Sequence, residues 1–148
     1  MSAPSANLED ALRALPHGPE FRFVDRLLEL VPGEAGVGEY RVRGDEAFLR
    51  GHFPGSPLMP GVILIEAGAQ LAGIVAQSDP RHRPLDGLKL TAVRSAKILG
   101  SAEPRRTLRI AARVTGRLEG LIQAEADVRD GERMLASMTL VLSGSVSG

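Results

Sequence analysis

The sequence contains no cysteine and no tryptophan, and aromatic residues make up only 3% of its 148 positions. Without cysteine the chain can form no disulfide, no thiolate nucleophile and no zinc–thiolate site. So few aromatic side chains offer nucleic-acid bases little to stack on. Net charge is also absent, because 18 basic residues balance 18 acidic ones. A generic binder of polyanions is therefore not indicated, and we expect no nucleic acid among the partners.

The sequence also lacks a long uninterrupted apolar segment. Its first 15 residues, MSAPSANLEDALRAL, have neither the basic flank nor the apolar core of a signal peptide. The most apolar stretch, 61–76, is interrupted by Glu66 and Gln70, and it is shorter than the roughly 18 residues of a membrane span. We therefore expect a cytoplasmic protein with no membrane partner. Its length predicts a single domain over residues 1–148, with residues 1–6 disordered.

The segment 51–78, GHFPGSPLMPGVILIEAGAQLAGIVAQS, is the one around which the rest of the chain is organised. It begins as a loop rich in proline and glycine. From Gly61 it becomes an apolar run without alternation, which predicts a helix rather than a strand. Pro60 suits the first turn of that helix, where a missing N–H costs nothing. Because the run is apolar on every face, protein must cover most of the helix.

Two side chains of this segment could carry acid–base chemistry, His52 in the loop and Glu66 in the helix. Burial disfavours the charged form of a carboxyl group, so we expect Glu66 to hold a proton that it can donate. Histidine is the usual second member of such a pair. The helix start at Gly61 and Val62 offers backbone N–H groups that have no intrahelical acceptor, and these suit an oxyanion.

The remaining segments predict a mostly antiparallel sheet. A short helix is expected from Asn7 to Leu15 and a single helical turn at 45–49. Strands are expected at 21–30, 37–42, 88–99, 108–114, 122–128 and 134–142. Glu119-Gly120 and Asp130-Gly131 supply hairpin turns. The predicted fold class is α+β, a curved antiparallel sheet of about six strands wrapped around one long central apolar helix. The open edges of such a sheet favour a dimer.

The sequence GHFPGSPLMPGVILIEAGAQ closely resembles the signature of the (3R)-hydroxyacyl-[acyl-carrier-protein] dehydratases of type II fatty-acid synthesis, which have the hotdog fold. In that family the pattern is close to GHFPGxPxMPGVLxxEAMAQ. Upstream, LPHGPEFRFVDRLLEL resembles the family's LPHRYPFLLVDRVLEL. After Gly87 the resemblance is weaker and covers scattered positions of VxxARFxxPVxPGDxL. It thus spans most of the chain, as one hotdog dehydratase-like domain over 1–148.

This resemblance implies a hydro-lyase that converts (3R)-hydroxyacyl thioesters on acyl carrier protein to trans-2-enoyl thioesters, in fatty-acid or related lipid or polyketide synthesis. It assigns His52 and Glu66 as the catalytic pair, with Glu66 supplied by the partner subunit. Gly61 would be the backbone donor that polarises the thioester carbonyl, and Val62 belongs to the same substrate-binding turn. Gln70, one helical turn beyond Glu66, would orient the carboxyl group or its water.

The resemblance further implies no metal and no cofactor other than the phosphopantetheine that carries the substrate. It implies a homodimer with shared active sites, and it leaves a trimer of dimers open. The acidic carrier protein could dock on a basic patch, although scattered surface arginines are the commoner explanation. The candidate basic residues are Arg81, Arg83, Arg94, Lys97, Arg105 and Arg106.

The sequence departs from the family pattern in regions expected to shape the acyl tunnel and the subunit packing. The departures are Gly18-Pro19-Glu20, Gly68, Ile98 and Pro104-Arg105-Arg106. They leave the catalytic pair intact, while the acyl chain length and the pathway stay open.

Other interpretations stay open as well. A hotdog acyl-thioesterase is one, although that class usually lacks the histidine-loop signature. A non-catalytic hotdog subunit is another, in which His52 or Glu66 would be expected to be lost. Glu66 could instead be a buried structural carboxylate that pairs with an arginine. His17 is expected to cap or pack against the first strand.

Overall fold

The computed structural model describes residues 5–51 and 59–146. The predicted catalytic residue His52 lies outside the described residues. The helices in this part of the chain are α1 (Ser5–Arg13), α2 (Ala47–Gly51) and α3 (Gly61–Gln77), and a 3-10 turn covers Pro19–Phe21. The strands are β1 (Arg26–Val31), β2 (Ala35–Arg41), β3 (Asp86–Ile98), β4 (Thr107–Leu118), β5 (Leu121–Asp130) and β6 (Arg133–Ser145).

These strands form one antiparallel sheet in the order β1-β2-β4-β5-β6-β3. Two-residue turns connect β4 to β5 and β5 to β6. Glu119 opens the first turn with a φ of 53°, and Gly131 opens the second with a φ of 61°. Tight hairpins need this left-handed backbone. The predicted hairpins are confirmed, with the second turn at Gly131-Glu132, one residue later than expected.

Helix α3 packs against β4, β5 and β6 and forms the centre of the core. Leu64, Leu71 and Ala72 of the helix are completely buried. So are the sheet residues Ile110 and Leu140. The predicted architecture of an antiparallel sheet around one long apolar helix is therefore confirmed. The cover is incomplete at the first turn of α3, where Val62 is 71% exposed.

Most element boundaries lie within a few residues of their predicted positions. Helix α1 begins at Ser5, two residues before the expected start at Asn7, and residues 1–4 lie outside the described part of the chain. The largest difference concerns the strand predicted for 21–30, since β1 begins only at Arg26.

The segment before β1 is bound by a side chain instead of a neighbouring strand. Pro19 begins a 3-10 turn that ends at Phe21. The Phe23 N–H then donates to Oε1 of Gln70 at 2.8 Å, and the Phe21 carbonyl accepts from Nε2 of Gln70 at 2.9 Å. The apolar residues at 21–24 resemble a strand in sequence, but Gln70 of α3 binds two of their backbone groups. This contact places the segment beside Glu66.

Gly68 stands where the resembled family has methionine, and the packing of α3 explains the difference. A Cβ at Gly68 would lie 2.6 Å from Sδ of Met138 and 3.0 Å from Cβ of Ala126. Met138 on β6 therefore occupies the space that a side chain on the helix would need. The departure at Gly68 changes the contact between helix and sheet.

We expect Gly68→Ala to lower the free energy of unfolding by about 1–3 kcal/mol, because Met138 and Ala126 must shift to admit the methyl group. Gly73→Ala on the same helix is the matched control, since its Cβ would have 3.8 Å to its nearest neighbour. That control should be neutral or stabilising, because alanine favours a helix more than glycine does. Urea unfolding compares the two variants, and equal stability would contradict the packing argument.

Candidate active site

A cavity of about 570 Å³ lies between α3, the start of β3 and the segment before β1. The residues that line it from α3 recur at helical spacing: Glu66, Ala69, Gln70, Gly73, Ile74 and Gln77. A larger hollow of about 900 Å³ crosses the strands from β1 to β6, and none of the predicted site residues lines it. The smaller cavity is therefore the candidate active site.

Gln70 is 2% exposed, and its amide orientation follows from its contacts. The Phe23 N–H can only donate, so the Gln70 oxygen that it contacts at 2.8 Å must be Oε1. Nε2 therefore donates its two hydrogens, one to the Phe21 carbonyl at 2.9 Å and one to Oε2 of Glu66 at 3.0 Å. Both hydrogens of the amide are used. Gln70 thus connects Glu66 to the segment before β1 through hydrogen bonds.

Glu66 lines the cavity with a side chain that is 21% exposed. Its Oε2 lies 3.0 Å from Nε2 of Gln70 and 3.4 Å from Nε2 of His17. These neighbours are an amide and an imidazole. The alternative in which Glu66 forms a structural ion pair would require an arginine at this position. Oε2 accepts from Gln70, and none of the hydrogen bonds within 5–51 and 59–146 engages Oε1, which is therefore open to a ligand.

His17 is the neighbour of Glu66 that sequence reasoning missed. It lies in the loop between α1 and the 3-10 turn, beside the cavity. Its ring contacts the ring of Phe21, with centroids 5.8 Å apart, and its carbonyl accepts from Nε of Arg22 at 2.6 Å. The expectation that it packs near the first strand did not include Glu66. The only signal in the sequence was its place in the LPH segment.

Gly61, the first residue of α3, does not face the same way as Glu66 within one chain. Gly61 and Glu66 are five residues apart, which corresponds to about 140° around a helix axis. A Cβ at Gly61 would lie 3.1 Å from the side chain of Ile98 on β3. Val62 is largely exposed, and Pro60 at the N-cap makes no side-chain hydrogen bond. Val62 lies four residues before Glu66, only about 40° from it around the axis. The structure therefore brings Glu66 and Gln70 together at the cavity, and neither Gly61 nor Val62 lines it.

Residues 5–51 and 59–146 contain neither a metal-binding cluster nor a membrane-spanning helix. No group of three or more histidine, aspartate and glutamate side chains is placed there to hold a metal ion. None of the helices in these ranges has the length and apolarity to cross a membrane.

Comparison with known families gives one match that covers most of the chain. The family model of the FabA-like domain matches residues 15–138. Proteins named 3-hydroxyacyl-[acyl-carrier-protein] dehydratase FabZ are similar in sequence. The one from Alkaliphilus metalliredigens is 32% identical over 88% of this chain and 88% of its own length. The one from Caldanaerobacter subterraneus is 32% identical over 90% of this chain and 94% of its own.

Other alignments are shorter. The FabZ protein of Roseiflexus castenholzii is 44% identical over 77 residues, which are 52% of this chain and 54% of that relative. This alignment thus spans about half the length of each protein.

Solved structures show the fold alone, because their sequence identities are low. The dehydratase heterocomplex ApeI:P from Xenorhabdus doucetiae superposes with a TM-score of 0.76 at 16% identity, over 90% of each chain. Zebrafish thioesterase superfamily member 2 superposes with a TM-score of 0.72 at 15% identity, over 97% of this chain and all of the other. The predicted hotdog fold is confirmed by these neighbours.

Proposed function

This chain belongs to the FabA-like family, and from that premise we propose that it dehydrates (3R)-hydroxyacyl thioesters on acyl carrier protein to trans-2-enoyl thioesters. The observation that carries the proposal is the position of Glu66. Its carboxyl group, the one ionisable side chain of α3, lines the cavity, and Gln70 holds one of its two oxygens. The other oxygen can then give a proton to a leaving hydroxyl group.

In the proposed reaction, two side chains together remove one molecule of water from the substrate. His52 takes the proton from Cα of the thioester, and Glu66 donates a proton to the β-hydroxyl group as the Cβ–O bond breaks. The N–H groups at Gly61 and Val62 stabilise the negative charge that develops on the thioester oxygen. Loss of water involves no net oxidation or reduction, so the proposal needs no redox cofactor. Phosphopantetheine delivers the substrate.

A homodimer accounts for how these groups could meet at one substrate. Glu66 lines the cavity, whereas Gly61 and Val62 do not, so two chains would contribute to each site. Strand β3 is the edge available for pairing, since α1 packs against β1 at the other edge. Val93, Ile98 and Leu99 expose apolar surface along and just beyond β3. We propose that this edge joins two subunits, with each Glu66 serving its partner's site.

The carrier protein is the proposed macromolecular partner, in the cytoplasm. The basic patch suggested by the sequence is reduced by internal ion pairs. Arg81 binds Asp79 at 3.0 Å, and Arg106 binds Asp130 at 2.7 Å. The cations that remain as candidates for docking are Arg83, Arg94, Lys97 and Arg105.

The proposed dehydration is tested in the reverse direction, by the absorbance of the enoyl-thioester band with crotonyl and longer trans-2-enoyl thioesters. We expect the band to decay as water adds across the double bond. The fold is also shared with a thioesterase, so the same reactions are monitored for free thiol. If free thiol appears without an earlier decay of the enoyl band, the protein is a thioesterase and not a dehydratase. If neither signal appears, the remaining interpretation is a non-catalytic hotdog subunit.

The cavity also predicts where the acyl chain lies. Its lining runs along α3 from Glu66 to Gln77, a helical length of about 16 Å. Gln77 closes the far end, where its amide exchanges two hydrogen bonds of 2.8 Å with the backbone of Leu85. Gly73 lies between these ends, with Leu88 and Leu142 across the gap. We propose that the acyl chain extends past Gly73 toward Gln77.

Gly73→Leu should therefore shorten the range of accepted substrates. Its side chain would project across the gap toward Leu88, and we expect turnover of long-chain enoyl thioesters to fall by more than about tenfold, with a much smaller loss for the crotonyl thioester. Gly73→Ala is the control, because a Cβ there makes only ordinary contacts at 3.8 Å. Rates over a series of chain lengths check this, and an equal loss at every length would contradict the assignment.

A further inference from the structure

The described contacts of Glu66 include one that the proposed mechanism does not use. Nε2 of His17 lies 3.4 Å from Oε2 of Glu66, the same oxygen that accepts from Gln70. We propose that His17 is a positioning residue for the Glu66 carboxyl group in the dehydration reaction. The proposal rests on the proposed function, and it adds a residue to that site.

The surroundings of the imidazole favour a donor on Nε2. Nδ1 of His17 is buried and has no hydrogen-bond partner among the described residues. A buried N–H without an acceptor is costly, so the ring hydrogen is better placed on Nε2, which faces the Glu66 oxygen. In that tautomer His17 and Gln70 both aim N–H groups at Oε2. The separation of 3.4 Å is long for a hydrogen bond, and distances of this kind shorten in substrate complexes.

The loop that carries His17 is held at two points, which gives the imidazole a defined position. Arg22 donates from Nε to the His17 carbonyl at 2.6 Å and from a terminal nitrogen to the Leu15 carbonyl at 3.4 Å. Gln70 binds the next part of the segment through the Phe21 carbonyl. The same glutamine therefore orients Glu66 and fixes the segment that presents His17.

Two donors on Oε2 have a consequence for the reaction. When Glu66 gives up its proton, negative charge develops on the carboxylate, and hydrogen bonds to a charged group are stronger than those to a neutral one. His17 then stabilises the transition state more than the ground state, which raises kcat and leaves substrate binding unchanged. A residue that only packs the loop would have no such preference.

Two variants separate these roles. His17→Phe keeps a ring against Phe21 and removes the nitrogen, whereas His17→Gln removes the ring and can keep an N–H donor near Glu66. We expect kcat for enoyl-thioester hydration to fall about tenfold in His17→Phe, with KM and thermal stability unchanged, and to be largely restored in His17→Gln. In a Glu66→Asp background the effect of His17→Phe should disappear, because the shorter carboxyl group is out of reach.

An unchanged kcat in His17→Phe, or an equal loss of kcat in His17→Phe and His17→Gln, would overturn the inference. Absence of turnover in the wild-type protein would instead contradict the proposed function. A second measurement keeps the two apart: long-range ¹H–¹⁵N spectra of the histidine rings do not require activity. They should show the His17 hydrogen on Nε2 and a shift of that signal in Glu66→Gln. A His17 signal that Glu66→Gln leaves unmoved would also refute the contact.

Discussion

Glu66→Gln should reduce enoyl-thioester hydration by about a thousandfold or more, since loss of a positioned general acid typically costs 10²–10⁴ in rate. Glutamine has nearly the shape of glutamate and can still accept from Nε2 of Gln70, which holds Glu66 at 3.0 Å. The cavity and the segment before β1 should therefore keep their structure. What disappears is the acidic group from which the proposed mechanism transfers a proton to the substrate. Steady-state rates on the preferred chain length measure the effect.

A chemically matched control is available on the outer surface. Glu125→Gln makes the same change on β5, where the carboxyl group is half exposed and pairs with Arg113 at 3.1 Å. Surface pairs of this kind contribute little to stability, so activity should stay within about twofold of wild type. His52→Ala should lose about as much hydration activity as Glu66→Gln. Substantial activity in Glu66→Gln, with folding unchanged, would exclude Glu66 as the acid.

Val93→Lys should separate the proposed dimer and abolish activity with it. Val93 is 46% exposed on β3, the edge strand that we propose pairs with its counterpart, so a lysine there is tolerated by the isolated subunit. In the dimer it would bury an ammonium group without a partner or place two of them close together. The mass measured by light scattering should halve, and the rate should fall by more than about a hundredfold, because Glu66 loses its partner site.

Leu118→Lys is the control for this change, since it introduces the same side chain at another exposed apolar position, beside the β4–β5 turn. It should remain dimeric and active. A Val93→Lys protein that is monomeric and fully active would show that one chain contains the whole site. A dimeric and active one would place the interface elsewhere.

Mixed dimers test the shared site without disturbing the interface. Glu66→Gln and His52→Ala are each expected to be inactive alone. After the two are unfolded and refolded together, half of the dimers are mixed, and each of these has one site with both wild-type residues, so about a quarter of wild-type activity should return. If both residues of a site came from one chain, mixing would restore nothing.

The order of the helices and strands follows from local patterns in the sequence. Alternation predicted β4 and β5, and the pairs Glu119-Gly120 and Asp130-Gly131 predicted the hairpins before and after β5, because these preferences act over a few residues. The continuous apolar run predicted α3. The spacing of Glu66 and Gln70 put both on one face of that helix, and their hydrogen bond of 3.0 Å agrees with it. His52, predicted from its loop beside the helix and from the resemblance, stays a prediction.

Contacts between distant segments were decided only by the tertiary structure. Phe21 and Phe23 resemble strand residues, yet the Phe21 carbonyl and the Phe23 N–H are bound by Gln70. His17 meets Glu66 because Gln70 draws that segment onto α3, and no local periodicity encodes a meeting of this kind. Met138 likewise takes the space beside Gly68. Each of these outcomes depends on how side chains from separate elements share one interior, since close packing couples residues that the sequence keeps apart.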